Sequence, residues 1–265
     1  MRFALSLGLA LGLAVAAPAL AADGEQKPLK TLDWSFDGPF GTYNRADLQH
    51  GFQVYKEVCS ACHSLKRVAF HALAESGGPE FTDAQMKALA AGYHVPADPN
   101  DKGETTDDKG NPLTRAGIPA DVFPGPFANE QAARAANGGA LPPDLSLIEK
   151  ARAGGANYVY SILTGFHETP PPGFKVTEGK YFNPYFIGWN ISMPPPLQDG
   201  QVTFVDGAPN KIADEAKAVA TFLAWTSETH LEDRHRIGVG VMIFLIVLSG
   251  LLYLSYRKVW KDTPH

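Results

Sequence analysis

The 265-residue chain is 45% apolar and 19% charged, enough for one large domain or two small ones with a core of useful size. Its 26 Gly and 21 Pro favour long loops and argue against a compact helix bundle. A formal net charge of −5, only two cysteines and no fixed-period repeat exclude a basic nucleic-acid footprint, a disulfide-stapled scaffold and a solenoid.

The N-terminus reads as an export signal. Arg2 precedes an apolar run over residues 3–17, and Ala19-Leu20-Ala21 is a small-x-small cleavage site, so cleavage is expected after Ala21. A retained anchor is the alternative. Further on, Asn44 can cap a helix over 45–58, with Asp47 in its first turn. Leu48, Phe52 and Tyr55 then fall on one apolar stripe.

That helix runs into Cys59-Ser60-Ala61-Cys62-His63, the C-x-x-C-H signature of c-type haem attachment. Two thiols three residues apart share one face of a helical turn, where they can add to the two vinyl groups of one porphyrin. The next residue, His63, can then reach the iron from the same side. A thioredoxin-like redox pair is a competing reading, but it calls for a strand before the motif. Half a zinc site is another, but the chain has no second cysteine pair.

A haem iron in an electron carrier usually takes a second strong ligand, and Met raises its potential. The four methionines are Met1 in the signal, Met86 on an amphipathic stretch, Met193, and Met242 in a long apolar run. Met193 is followed by Pro194, Pro195 and Pro196, which stiffen the loop that carries it. Elimination therefore points to Met193. His71, His94, His167 and His230 are the other possible ligands and are expected on the surface.

Between these landmarks the stretch 93–126 is long and polar. It includes Asp98, Asp101, Glu104, Asp107 and Asp108, five acids within 11 residues, expected as a solvated loop. A helix is predicted over about 214–228. Asp214 and Glu215 suit its N-terminus, and Val219, Phe222, Leu223 and Trp225 give it an apolar side.

Residues 237–254 carry no charge over 18 positions, and extension to Tyr256 gives a helix of about 30 Å, matching a bilayer core. Arg257, Lys258 and Lys261 follow, which places the tail in the cytoplasm. The expected layout is a cleaved signal (1–21), an exported domain (22–231), a membrane anchor with its lead-in (232–256) and a cytoplasmic tail (257–265). The exported domain holds 17 Lys and Arg against 25 Asp and Glu, a formal charge of −8 that would steer basic partners at low salt.

Several stretches together resemble the cytochrome c1 family, the haem subunits of cytochrome bc1 complexes. They are GFQVYKEVCSACHSL (51–65), ARAANGGALPPDLSLI (133–148), ANYVYSILTGF (156–166), KYFNPYFIGWNISMPPPL (180–197) and AKAVATFLAWTSE (216–228), joined by the final apolar run. The resemblance implies a mainly α fold: a cytochrome c-like haem domain with long loops plus one C-terminal transmembrane helix. It implies one covalently bound haem c, with Cys59 and Cys62 as thioethers and His63 and Met193 as axial ligands. Arg152 would pair with a haem propionate, while Asn137, Pro142, Pro143, Tyr158, Leu163, Phe186, Ile191 and Pro196 would line the pocket.

By the same resemblance, the chain is not an enzyme on its own. It is an electron-transfer subunit of quinol–cytochrome c oxidoreductase, in the bacterial inner membrane with its haem domain in the periplasm. Its partners would be cytochrome b, the Rieske iron–sulfur protein and a soluble basic cytochrome c. A stand-alone anchored cytochrome, and a haem enzyme with one open axial position, are the other readings. The separation of 130 positions from His63 to Met193 disfavours a minimal cytochrome. Two departures stand out: the chain lacks the extra cysteine pair that braces the Met loop in some bacterial members, and Pro194 replaces the Ala common after the ligand Met.

Overall fold

The computed structural model describes residues 25–262, so the expected export signal and the last three residues lie outside it. Helix α1 (Arg45–Glu57) starts where the Asn44 carboxamide accepts from the Asp47 amide at 3.2 Å, and it ends one residue earlier than the sequence suggests, with Val58 as its C-cap. Leu48, Phe52 and Tyr55 are all buried, as their spacing requires.

Helix α5 (Ile212–Ser227) crosses α1 and forms the centre of the fold. The two backbones touch at Gly51, where an added Cβ would lie 2.1 Å from the Ala218 carbonyl oxygen and 2.7 Å from the Phe222 Cβ. Aromatic rings fill the space around the crossing. Phe52 meets Phe222 edge-on at 5.7 Å, Tyr55 stands 5.9 Å from Phe222, and Phe70 packs on Phe123 at 4.4 Å. Buried side chains of this size contribute about 1.5–3 kcal/mol each.

The sequence reading of α5 needs one correction. The helix begins about two residues earlier, because the Asp214 carboxylate reaches back to accept from the Lys211 amide. Glu215 stands in the first turn as expected, but it is fully buried, and its Oε1 accepts from the Val202 amide at 2.9 Å. It also ties a loop to the helix.

The remaining helices sit around this pair. Helix α2 (Asp83–Ala91) opens on a Thr82–Gln85 capping box and buries Met86 and Ala90. Helix α3 (Glu130–Ala136) is capped by Asn129, and α4 (Gly155–Gly165) packs on α5. Strands are few and short. β1 (His94–Pro96) pairs antiparallel with β2 (Thr114–Ala116), and β3 (Tyr181–Phe182) with β4 (Asn190–Ile191). The acidic stretch lies on the exposed connection between β1 and β2, where Asp107 accepts from the Lys109 and Asn111 amides in a tight turn. The fold is mainly α, with long loops.

The last helix, α6 (Leu231–Val259), has 29 residues, none of them buried, and a mean hydropathy of 2.6 over its most apolar 18 residues. It begins six residues before the uncharged run. That first turn and a half is clamped to the domain. The Glu232 carboxylate accepts from the Tyr43 amide at 2.8 Å and from both terminal Arg45 nitrogens at 2.8 Å, and His235 Nδ1 meets the Gly41 carbonyl oxygen at 3.1 Å.

Gly to Ala in a helix interior is ordinarily stabilising by about 0.5–1 kcal/mol. At Gly51 the sign should reverse. Gly51→Ala is expected to lower stability by about 1–3 kcal/mol through over-packing against α5, read as a lower urea midpoint of the full chain.

Candidate functional site

The end of α1 delivers the C-x-x-C-H motif. Residues Cys59–Ala61 continue as one 3₁₀ turn, and the amides of Cys62 and His63 both donate to the Cys59 carbonyl, at 3.1 and 2.9 Å. Both thiols and the imidazole are therefore carried on a single turn. A helix leads into the motif, not the strand that a thioredoxin-like pair would need. Burial pushes the Cys59 thiol up to about 12, with Cys62 beside it adding to the effect, whereas Cys62 is exposed.

His63 is oriented by a second segment. Its Nδ1 lies 2.8 Å from the Pro143 carbonyl oxygen. A carbonyl only accepts, so Nδ1 carries the proton and the Nε2 lone pair of the neutral ring is left available for a metal. Burial lowers the imidazole pKa, against the Pro143 bond and the Asp144 charge, which favours that neutral form. Tyr55, buried in the core, donates its hydroxyl to the His63 carbonyl at 3.1 Å.

The Pro143 segment is itself held by Asp144. This carboxylate accepts from the Ser64 hydroxyl at 2.7 Å, the Lys66 amide at 2.9 Å and the Ser146 amide at 3.0 Å. Partial burial pushes its pKa up, but these donors more than offset that and hold it below the usual carboxylate range. The Leu145 amide also donates to the Ser64 carbonyl, and the Arg67 amide to the Ser146 hydroxyl. The loop over 142–146 is thus clipped edge to edge onto 63–67. A cavity of about 360 Å³ opens beside it, lined by Cys62, Ser64, Phe127, Ala133, Leu141 and Pro142.

Met193 follows β4 and is half-buried. It packs on the main core, whose border also includes Cys59, and on a second cluster built on Ile162, Tyr185 and Ile191. Tyr158 and Phe186 pack against that second cluster, while Leu163 belongs to the main core. Pro142 and Pro196 are half-buried, and Pro143 is exposed beside His63. Asn137 closes α3 by donating to the Ala133 carbonyl at 2.7 Å. Arg152 is exposed and donates to the Ala151 carbonyl, so no side-chain partner fixes its guanidinium. Met86 is core filling, and His71, His94, His167 and His230 are all exposed.

The Met193 loop is braced without a disulfide. Asn183 is fully buried. Its Nδ2 donates to the Ile162 carbonyl at 2.7 Å, its Oδ1 accepts from the Tyr185 amide at 3.1 Å, and its own amide donates to the Trp189 carbonyl at 3.0 Å. This joins α4 to the β3–β4 hairpin. Gly165 permits the approach, since a Cβ there would stand 2.6 Å from the Tyr185 ring and 2.7 Å from Asn183 Oδ1. Lys180 also donates to the Ser192 hydroxyl, next to Met193. Neither Asp144 nor Asn183 stands out in the sequence. The only hint is that each lies beside Pro within a block that resembles the family.

The donor set suits a covalently held haem: two thiols and an Nε2-free imidazole on one turn, a thioether on a proline-stiffened loop, and apolar side chains around that thioether. Comparison with known proteins agrees. A family model described as the Cytochrome C1 family matches residues 34–263. The chain is 48% identical to a cytochrome b/c1 of Bradyrhizobium diazoefficiens over 92% of its own length, but spans only 37% of that longer protein. It is 44% identical to cytochrome c1 of Rhodospirillum rubrum over 96% of this chain and 94% of that one. It is also 45% identical to a mitochondrial cytochrome c1 haem protein of Saccharomyces cerevisiae over 84% and 68% of the two chains.

Removing the Asp144 clip tests this geometry. Asp144→Ala strands the partly buried donors of Ser64 and Ser146 and should cost about 2–3 kcal/mol, whereas Asp144→Asn should retain part of that. Thermal unfolding of the haem-loaded chain measures both. Equal losses in the two variants would contradict a hydrogen-bonding role.

Proposed function

The chain belongs to the cytochrome c1 family, and from that premise we propose that it is the haem subunit of a bacterial cytochrome bc1 complex, passing single electrons from a Rieske iron–sulfur protein to a soluble cytochrome c. Membership of the family implies haem-based electron transfer. One observation carries the assignment of the site: Cys59, Cys62 and His63 share a turn, with His63 Nδ1 tied to Pro143 and Nε2 left as a donor.

In this reading Cys59 and Cys62 would hold the haem covalently, each through a thioether bond. His63 Nε2 and the Met193 thioether would ligate its iron. A haem so held supplies a one-electron ferric–ferrous couple. The protein's part is to keep both ligands in place in either oxidation state. The Pro143 bond fixes the imidazole, and Asn183 and the prolines fix the Met loop, so little reorganisation accompanies the transfer. Tyr158, Leu163, Phe186, Ile191, Pro142 and Pro196 would exclude water, and Asn137 and Arg152 would meet the polar edge. The exposed guanidinium of Arg152 is well suited to a propionate.

The layout follows the same reading. Residues 1–21 would be removed on export, residues 22–231 would stand in the periplasm, α6 would cross the inner membrane beside cytochrome b, and residues 257–265 would lie in the cytoplasm. The names of the relatives support membership of the complex: one is a cytochrome b/c1, and a Candida albicans relative is a cytochrome b-c1 complex catalytic subunit. The −8 charge of the exported domain favours a basic acceptor.

Two measurements test this. Protein drawn from membranes in mild detergent should show a c-type band together with b-type bands. In it, Met193→Leu should keep the covalent haem while lowering its midpoint potential by on the order of 0.1 V or more, and an unchanged midpoint would refute Met193 as ligand. Reduction of a basic soluble cytochrome c should slow steeply between low salt and about 0.15 M, where charges are screened beyond about 8 Å. A flat response would remove the acidic docking surface.

A further inference from the structure

We propose that the loop over residues 38–42 is a second, shallow membrane contact, with the Phe40 ring inserted at the outer bilayer interface beside the root of α6. The proposal rests on the reading of α6 as a membrane span.

Phe40 is 77% exposed, one of the most exposed aromatic rings among the described residues. It does not stand alone on the surface. Phe40, Gly41 and Thr42 line a small notch together with Glu232, His235, Arg236 and Val239 of α6. Val239 is the third residue of the uncharged run that starts at Ile237. At about 1.5 Å per residue it stands about 3 Å inside the apolar segment. The Phe40 ring therefore lies at the level where aromatic side chains favour a membrane interface. Ile237 and Val239, themselves exposed, continue the apolar surface from the loop to the span.

The loop is stiff, so the ring is held out rather than free to fold back. Gly38 has φ +79°, the Gly41 amide donates to the Gly38 carbonyl at 3.3 Å, and the Thr42 amide donates to the Ser35 carbonyl at 2.9 Å. No side chain fits at Gly41, where a Cβ would come within 2.3 Å of the Phe36 backbone. The loop is also locked to the helix by the Glu232 bonds to Tyr43 and Arg45 and by the His235 contact with Gly41. Wherever α6 enters the bilayer, the loop is carried to the same depth. Arg234 and Arg236 are exposed on that turn of α6 and can extend toward headgroups. Asp37 and Thr42 are exposed on either side of the tip and would keep the insertion shallow.

The test uses the full, haem-loaded chain in vesicles of phosphatidylcholine and phosphatidylglycerol. Nitroxide labels are placed at Phe40→Cys, Val239→Cys and Val205→Cys, and the unsubstituted protein serves as the labelling blank. Val205 is fully exposed on the haem domain and reports water. Power-saturation spectra compare collisions with oxygen, which concentrates in lipid, and with a water-soluble nickel chelate. The expected oxygen-to-nickel ratio is several-fold higher at Phe40→Cys and Val239→Cys than at Val205→Cys. A ratio at Phe40→Cys equal to that at Val205→Cys, with Val239→Cys still lipid-like, overturns the loop contact and leaves the span intact. A water-like Val239→Cys overturns the span reading and the loop contact with it. Shielding of Phe40→Cys from both probes means that protein covers the ring, which also overturns the membrane contact.

Discussion

The rest of the structure depends on the contact between α1 and α5 at Gly51. Only hydrogen fits between the Gly51 Cα and the Ala218 carbonyl, so the two helix axes can approach closely enough for Phe52, Tyr55 and Phe222 to interlock. The crossing fixes the direction of α1. Because the C-x-x-C-H turn continues α1 after a single intervening residue, the crossing also fixes where the two thiols and the imidazole point. Tyr55 makes the link physical: one face of its ring packs in the crossing, and its hydroxyl holds the His63 carbonyl. The site is an extension of the core rather than a loop attached to it.

The two strand pairs among the described residues are only three and two residues deep, too short to hold the loops of a chain with this much Gly and Pro. Side-chain oxygens take over that task. Asp144 joins the segments 63–67 and 142–146, Glu215 gathers the loop at Val202, Glu232 gathers Tyr43 and Arg45, and Asn157 accepts from both the Leu32 amide and the Trp34 indole at 3.1 and 2.8 Å. Each oxygen satisfies donors from segments far apart in the chain, which would otherwise lose water without a partner. Part of the acidity of the chain is therefore structural, and the net charge overstates what is left to meet a partner. The acids on the exposed 98–108 stretch contribute only partly to that surface, since Asp107 is occupied by its own turn.

What the sequence revealed, and what it hid, follows from the range of the interactions. Local signals were legible: the Asn44 cap, the Leu48–Phe52–Tyr55 stripe, the apolar side of α5, the C-x-x-C-H turn and the long apolar run of α6 all depend on residues within a few positions of one another. Met86 could be separated from Met193 because a stripe buries the first and prolines follow the second. What the sequence hid concerns long-range contacts. Glu215 looks like any first-turn acid until the Val202 amide is brought to it. Asp144 and Asn183 look like turn residues, and the first six residues of α6 look like a charged linker, because nothing near them in the chain shows that Tyr43, Arg45 and Gly41 will pack there. Among the site residues, Asn137 and Arg152 were named by family resemblance alone, and the structure gives each only a local backbone partner.

The continuity of α6 bears on how such a protein works. If residues 231–236 were a flexible linker, the haem domain could tumble above the bilayer, and the distance from its site to any membrane-bound donor would vary. Instead the helix runs unbroken from Leu231, and Glu232 accepts three hydrogen bonds at the start of α1: one from the Tyr43 amide and two from the Arg45 guanidinium fork. Such bidentate pairs fix orientation as well as distance. The same Arg45 also pairs with Glu80 at 2.8 Å, so the clamp reaches across α1 to the segment before α2. The anchor, α1 and the C-x-x-C-H turn thus form one connected body. In the reading proposed above, the donor would therefore have to come to the site, because the site is not free to swing to the donor. In that reading, the rigidity that orients His63 would be continuous with the rigidity that holds the domain at the root of α6.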